Sequence, residues 1–247
     1  MVDAKNRIVI FCIAFFLVCG CGNGKHKHIN KETVFLIHGM GRTSASMYLL
    51  KKRLEKAEYN VVSENYPSTK GSIRDHVLWL KRTIGECCQT KEVKTHFVTH
   101  SLGGIVLRMY LKENNQPNLG RVVMLSPPNK GSELADALKE LKIYQMATGP
   151  SGQELSTGPQ STPNLLGPVN FDLGVITGDI SFNPFSSLLI PGDDDGKVSV
   201  ERAKIAGMKD FLVVSHSHTF IMNSPEVAKE IVAFLKSGFF IRSKKEK

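Results

Sequence analysis

Residues 95–108 read T-H-F-V-T-H-S-L-G-G-I-V-L-R, and this stretch contains the clearest pattern in the chain. Its first six residues alternate and are β-branched or aromatic, which predicts a short buried strand ending near His100. From Leu102 to about Lys112 the apolar residues follow helical spacing, which predicts a helix. Ser101 therefore lies at the turn between a strand and a helix.

A strand–serine–helix turn with small neighbours is the pattern of a nucleophile elbow, in which the serine hydroxyl projects clear of the sheet. Gly103 would let the turn pass close to the strand, and Gly104 would let the helix pack tightly. The backbone N–H of Leu102 is directed to where an oxyanion would form. Thr99 replaces the first glycine of G-x-S-x-G, which we interpret as a tolerated variant. An ordinary strand–helix turn is the alternative.

The composition is that of a globular protein with one sizeable core. Of 247 residues, 41% are hydrophobic and 22% are charged, and the net charge is +9. Such a basic balance is found in proteins that bind nucleic acid or anionic membranes. The sequence has no nucleic-acid motif and no basic groove with interleaved aromatic residues, so we expect no nucleic-acid partner. We expect a monomer.

Residues 1–21 have the pattern of a secretion signal. Lys5 and Arg7 precede an apolar run over residues 8–18, which is shorter than the roughly 20 residues that span a bilayer. The run ends in V-C-G-C, which resembles a bacterial lipobox. We therefore predict a lipoprotein signal peptide.

In a lipobox, Cys21 would become the lipidated first residue of the mature protein, although Cys19 stands where Ala, Ser or Thr is usual. We predict a lipoprotein anchored in the bacterial cell envelope, with residues 22–30 as a polar tether. Secreted or periplasmic protein without lipid, or an uncleaved anchor, are the alternatives. Cys87 and Cys88 then remain as thiols; adjacent cysteines rarely bond to each other, and no metal site is implied.

The residues after the tether alternate between strand and helix patterns, which indicates an α/β domain over residues 31–247 with a mostly parallel sheet and helices on both faces. The predicted strands are residues 33–37, 61–65, 95–100, 121–126, 171–177 and 211–215. The predicted helices are residues 47–58, 73–88, 102–112, 132–141 and 225–236, with a short one near residue 202. Residues 143–189 are rich in Gly, Pro, Ser and Thr, so apart from one strand we expect an irregular, lid-like segment there.

A serine nucleophile needs a base, and the base needs a carboxylate that fixes its tautomer. In this type of fold the order along the chain is serine, acid, histidine. His216 and His218 both follow the last predicted strand, and spacing alone does not choose between them. The second oxyanion donor has to follow the first strand, where H-G-M-G at residues 38–41 offers the Met40 backbone N–H.

The loop before the last predicted strand offers four aspartates as the acid. Asp195 precedes Gly196 at a turn before a helical stretch, which favours it. Asp193 and Asp194 are expected to stay solvated or to cap that turn, and Asp179 is the remaining candidate. Calcium binding by the aspartate run is an alternative, but the run lacks the ligand spacing of an EF-hand. We expect no metal and no cofactor.

Five segments together resemble the α/β-hydrolase superfamily, and more narrowly its bacterial lipase- and esterase-like branch, related to triacylglycerol lipases and GPI-inositol-deacylase-like hydrolases. The resemblance implies that Ser101 is the nucleophile, that Asp195 of D-G-x-V is the acid, and that His218 of H-T-F-I-M is the base. The segments are F-L-I-H-G-M-G-R-T (35–43), F-V-T-H-S-L-G-G (97–104), S-P-P-N-K-G-S-E (126–133), G-D-D-D-G-K-V-S-V-E (192–201) and S-H-T-F-I-M (217–222).

The resemblance also implies the α/β-hydrolase fold and a serine hydrolase that cleaves carboxylic esters through an acyl-enzyme. A lipid-anchored enzyme with a lid-like segment favours lipid-like or other hydrophobic acyl esters, by analogy alone. An acyltransferase that uses the same triad, and a non-catalytic envelope lipoprotein that acts as a binding module, are the alternatives.

Overall fold

The computed structural model describes residues 31–87 and 92–242. Its strands are β1 (Thr33–Ile37), β2 (Asn60–Ser63), β3 (Thr95–His100), β4 (Leu119–Leu125), β5 (Leu173–Gly178) and β6 (Asp210–Val214). They form one six-stranded sheet in the order β2-β1-β3-β4-β5-β6, and all neighbouring strands are parallel. The predicted α/β class with a parallel central sheet is confirmed.

Helices pack on both faces of this sheet. They are α1 (Tyr48–Lys56), α2 (Ile73–Cys87), α3 (Leu102–Glu113), α4 (Glu133–Leu138), α5 (Lys142–Gln153), α6 (Thr162–Leu165), α7 (Pro184–Leu189), α8 (Val200–Ala203) and α9 (Pro225–Ser237), with 3₁₀ turns at Ser44–Met47 and Ile221–Asn223. The side chains of β1 explain the two layers. Phe35 and Ile37 belong to a core with α2 and α3, whereas Val34 and Leu36 belong to a core with α1 and α9. A strand buried on both faces requires a continuous apolar run, as β1 has.

The expectation of an irregular segment over residues 143–189 is wrong, because α5, α6, β5 and α7 occupy much of it. The prolines act as helix starters here: Pro163 and Pro184 lie in the first turns of α6 and α7. At a helix start proline loses no hydrogen bond. Gly149 has a φ of 64° and lies at a kink that divides α5 into two helical segments.

The predicted signal peptide, Cys21 and the tether lie outside the described residues, as does Cys88. Cys87 is exposed at the end of α2. Within residues 31–87 and 92–242, no helix combines the length and the apolar character that crossing a membrane requires.

Candidate active site

Ser101 connects β3 to α3 in a conformation that is unusual for a residue with a side chain. Its φ is 53° and its ψ is −123°. Hydrogen bonds hold this turn on both sides, since the Ser101 N–H donates to Leu125 O at 2.9 Å and Gly104 N–H donates to Ser101 O at 2.9 Å. A positive φ at a non-glycine residue persists only where the surroundings enforce it. The turn therefore has the backbone geometry of the predicted elbow.

The loop after β1 packs directly against this elbow. A Cβ atom on Gly103 would lie 2.7 Å from Ile37 O and 2.9 Å from His38 O. A Cβ atom on Gly39 would lie 2.7 Å from His100 Nδ1. Real Cβ atoms do not approach other heavy atoms this closely. A side chain at Gly103 would meet fixed backbone oxygens, and one at Gly39 would meet the buried ring of His100, so both positions need glycine. The two segments predicted to supply oxyanion donors are therefore held in contact.

His218 is hydrogen-bonded to Asp195, and both side chains are buried. Asp195 Oδ2 lies 2.8 Å from His218 Nδ1, and the His218 N–H donates to Asp195 O at 2.8 Å. The other carboxylate oxygen, Oδ1, accepts the N–H groups of Lys197 at 3.0 Å and Val198 at 2.9 Å. An ionised carboxylate only accepts hydrogen bonds, so this pairing keeps the proton on Nδ1 and leaves Nε2 as an acceptor.

The carboxyl group of Asp195 has a lowered pKa, although its burial by itself raises the pKa. His218 and the donors at the turn outweigh the burial, because they stabilise the ionised form. Asp195 therefore stays a carboxylate inside the fold.

The other candidate residues are placed differently. Asp179 and Asp193 are exposed. Asp194 Oδ1 accepts the Gly196 N–H at 2.6 Å, so this carboxylate caps the turn as expected. His216 is partly exposed, whereas His218 is 3% exposed and faces Asp195. Of the four aspartates, Asp195 is thus the one paired with a histidine.

His100 contacts both the backbone and the ring of His218. Its Nε2 lies 3.0 Å from His218 O, and the two ring centroids are 4.8 Å apart. Burial, followed by the charges of His218 and Arg42, holds the pKa of His100 well below its ordinary value. A neutral His100 can therefore donate Nε2–H to the His218 carbonyl and fix the backbone of that residue.

The loop that carries Met40 is braced by His38 and Tyr66. Their rings stack at 4.3 Å, and the Tyr66 hydroxyl donates to His38 O at 2.8 Å. His38 Nδ1 lies 2.9 Å from Gly39 O, and its Nε2 accepts the Tyr66 N–H at 3.3 Å. Among the described residues, the backbone N–H groups of Met40 and Leu102 have no hydrogen-bond acceptor, so both can donate to a ligand.

Ser101 and His218 line the same cavity, whose volume is about 510 Å³. Part of the cavity wall comes from α4 and α5, and α5 contributes Tyr144, Ala147 and Thr148. The cavity lining consists of Met40, Gly41, Arg42, His100, Ser101, Pro128, Ser132, Leu134, Ala135, Tyr144, Ala147, Thr148, Leu155, Lys197, Val198 and His218. Across the described ranges, no group of three or more His, Cys, Asp or Glu is arranged to hold a metal ion.

Sequence reasoning missed three kinds of residue at this cavity: the α5 wall, Arg42 and Lys197. The sequence did offer a signal for the two cations, because Arg42 directly follows H-G-M-G and Lys197 directly follows D-G. Any side chain adjoining a predicted site loop is a candidate to line the site. The α5 wall had no comparable signal in the sequence.

Solved structures of bacterial and archaeal proteins are similar to this chain. The mature lipase BlEst2 of Bacillus licheniformis has a TM-score of 0.69 at 18% identity, covering 87% of this chain and 95% of that one. The phospholipase PlaB of Legionella pneumophila, in complex with thio-NAD, has a TM-score of 0.67 at 16% identity, covering 85% and 59%. The monoacylglycerol lipase of Paleococcus ferrophilus has a TM-score of 0.54 at 18% identity, covering 83% and 94%.

No protein-family model matches the sequence, and no curated protein sequence matches it. The sheet order, the elbow and these similarities together define the α/β-hydrolase fold, the class of structure that this chain shares with bacterial lipases and esterases. The catalytic roles of Ser101, Asp195 and His218, and the donor roles of Met40 and Leu102, stay predictions.

Proposed function

We propose that this protein is a serine hydrolase that cleaves carboxylic esters. One observation carries the proposal: His218, whose Nδ1 is paired with Asp195, lines the same cavity as Ser101, which stands on a strained turn. A histidine with Nδ1–H held by a buried carboxylate has its Nε2 lone pair ready to accept a proton. That is the one property a serine needs from its neighbour to become a nucleophile.

In the proposed mechanism, Ser101 Oγ attacks the ester carbonyl carbon while His218 Nε2 takes the hydroxyl proton. The N–H groups of Met40 and Leu102 stabilise the oxyanion of the tetrahedral intermediate. The intermediate expels the alcohol, which receives the proton from His218, and leaves an acyl-enzyme. Water then attacks the acyl carbon while His218 takes a proton from it. The bond between Ser101 Oγ and the acyl carbon breaks, His218 returns the proton to Oγ, and the acid is released.

Hydrophobic acyl esters are the substrates that the cavity wall favours. Helix α5 presents Tyr144 and Ala147 to the cavity, while Ile143 and Met146 on the same helix are 77% and 84% exposed. Apolar side chains exposed beside a cavity stabilise contact with an apolar surface, because their burial removes them from water. A lipid aggregate is such a surface.

The test is hydrolysis of a neutral short-chain ester by the purified soluble domain and by Ser101→Ala. Release of acid by the wild type alone supports the proposal, whereas equal background rates support a non-catalytic binding module. An alcohol acceptor added to the same reaction distinguishes the acyltransferase: transfer to the alcohol in preference to water would identify that activity.

We also propose that the protein is a monomer held at the bacterial cell envelope by a lipid on Cys21. The motivation is the V-C-G-C sequence that ends the apolar run. In a bacterial host, Cys21→Ser should abolish uptake of radiolabelled fatty acid and release the protein from membranes. A wild-type protein that takes up no label would favour secretion without lipid.

A further inference from the structure

Two cationic side chains, Arg42 and Lys197, line the cavity around Ser101. They arrive from two separate loops. Arg42 follows the loop that carries Met40, and its N–H donates to Gly39 O at 3.3 Å. Lys197 follows Asp195, and its N–H donates to that carboxylate at 3.0 Å. The backbones of both cations are therefore fixed to the segments that hold the proposed catalytic groups.

Neither cation has a carboxylate partner in the described part of the chain. The ion pairs found there involve neither Arg42 nor Lys197, and no Asp or Glu is among the described residues that line the cavity. The negative charge that acts on Lys197 is that of Asp195, which His218 already engages. The cavity therefore carries two positive charges that no side chain neutralises.

The two charges are close enough to affect each other. Lys197 is exposed and Arg42 is half-buried, so water screens both charges in part. The protein around the Lys197 ammonium nevertheless lowers its pKa, and the charge of Arg42 lowers that pKa further. Like charges held together are unfavourable, and this is more pronounced where protein replaces water. A bound anion would relieve that repulsion with charge-assisted hydrogen bonds.

We propose that Arg42 and Lys197 bind an anionic oxygen group carried by the substrate, so that the preferred ester bears a phosphate or similar anion near its scissile bond. This inference rests on the proposed function. Arg42 offers a planar set of donors and Lys197 a compact ammonium, and both suit phosphate or carboxylate oxygens. Because both line the cavity that contains Ser101, the bound anion positions the ester carbonyl at the elbow and thereby raises kcat/KM.

The experiment uses two monomeric substrates and one competitor to separate the sources of the anion. The substrates are a hexanoyl ester of glycerol and the matched hexanoyl ester of glycerol phosphate, and the competitor is inorganic phosphate. We expect the wild type to prefer the phosphate-bearing ester by about tenfold or more in kcat/KM, the factor typical of one good charged contact. Arg42→Gln and Lys197→Gln should each lower this preference, and the double variant should lose it.

Two further sets of variants control for folding and for overall charge. Arg42→Lys and Lys197→Arg keep the charge and should retain most of the preference. Lys229→Gln, on the exposed face of α9 and outside the cavity lining, removes one charge and should leave both kcat/KM values unchanged. A thermal unfolding measurement on each variant checks that the variant protein is folded.

The outcomes separate the two proposals. Ser101-dependent hydrolysis without preference for the phosphate ester would overturn the role of Arg42 and Lys197 while the esterase proposal stands. Strong competition by inorganic phosphate together with equal cleavage of the two esters would also overturn their role in substrate binding, because the cations would then bind a free anion. No hydrolysis of either ester would instead contradict the proposed function itself.

Discussion

At the scale of single residues, the backbone of Ser101 is the most informative feature of the site. Its positive φ is a conformation that costs a non-glycine residue roughly 1–3 kcal/mol. The structure holds it there by bonds from Ser101 to Leu125 and from Gly104 to Ser101, and by the close approach of Gly103 to Ile37 and His38. Strain of this kind fixes the position of the hydroxyl before any substrate binds.

Gly103→Ala tests whether that close approach positions the site. The new Cβ atom would meet two backbone oxygens at 2.7 and 2.9 Å, so the loop that carries Met40 has to move. We expect a loss of about 2–4 kcal/mol in the free energy of unfolding and a loss of at least about tenfold in kcat. The control is Gly85→Ala in α2, where a Cβ atom meets nothing within 4 Å. That variant should be about 0.5–1 kcal/mol more stable. Full activity in Gly103→Ala would contradict the account.

The lowered pKa of Asp195 predicts how its contribution to stability depends on pH. The folded-state pKa lies below the ordinary 3.8, so the ionised group stabilises the fold above that value and loses its effect as the pH falls through the folded pKa. The stability difference between wild type and Asp195→Asn should therefore be constant from pH 7 to about 5 and shrink below about 4. Urea unfolding across this range measures it, with the exposed Asp193→Asn as control. A difference that increases on acidification would be inconsistent with an ionised Asp195.

At the scale of secondary-structure elements, α3 is joined to its surroundings by one buried arginine. Arg108 Nη1 donates to Asn129 O at 2.9 Å, and Nη2 donates to Pro163 O at 3.1 Å and Gly167 O at 2.7 Å. These acceptors belong to the loop after β4 and to the α6 region. Arg108 is 3% exposed, and this burial lowers the pKa of its guanidinium to about 10.

Arg108→Gln should therefore destabilise the protein through lost hydrogen bonds. It leaves buried carbonyl oxygens without donors, and we expect the free energy of unfolding to fall by about 2–4 kcal/mol. Lys112→Gln on the same helix is the control, because Lys112 donates to exposed carbonyls and should cost less than about 1 kcal/mol. Urea unfolding compares the two. Equal effects would show that Arg108 does not link these elements.

Helix α5 combines an anchored half with an exposed half. Ser151 is fully buried, and its Oγ donates to Ser68 O at 3.0 Å while its N–H donates to Gly71 O at 3.1 Å. Before the Gly149 kink, the helix instead exposes Ile143. The anchored half therefore acts as a wall, and the exposed half is available for contact with a lipid surface.

Replacing Ile143 and Met146 together by serine should lower activity on aggregated esters more than on monomeric ones. Each side chain loses apolar area that a lipid surface would bury, so we expect a loss of about fivefold or more on an emulsion. Monomeric short-chain esters need no such surface and should be cleaved as before. Leu78→Ser, at a 60% exposed position on α2, is the control and should leave both rates unchanged. Equal losses on both substrates would indicate a role inside the cavity instead.

At the scale of the whole molecule, the sequence predicted those strands and turns whose formation depends on adjacent residues in the chain. The continuous apolar run of β1 and the serine turn after β3 each reflect a local requirement, so both were recognisable. His218 was separable from His216 only by resemblance, because its distinguishing contact with Asp195 joins residues 23 positions apart. Contacts at that separation leave no periodic trace in a sequence.

The residues that were not predicted depend on tertiary packing. The prolines of α6 and α7 look like breaks in a sequence, and only the structure shows that they start helices. The cavity position of Arg42 and Lys197 depends on two loops that meet across the ends of β1 and β5. A charge alone does not reveal whether it faces solvent or a site.

The central claim is that Ser101 is a nucleophile activated by His218. Covalent labelling by a fluorophosphonate, followed by mass spectrometry of the peptides, tests it most directly. We predict one adduct per chain, on Ser101, with labelling absent in Ser101→Ala and slowed by at least about 100-fold in His218→Ala. Asp195→Asn should slow it less than His218→Ala does. Absence of any adduct, or an adduct on another residue that persists in Ser101→Ala, would contradict the account.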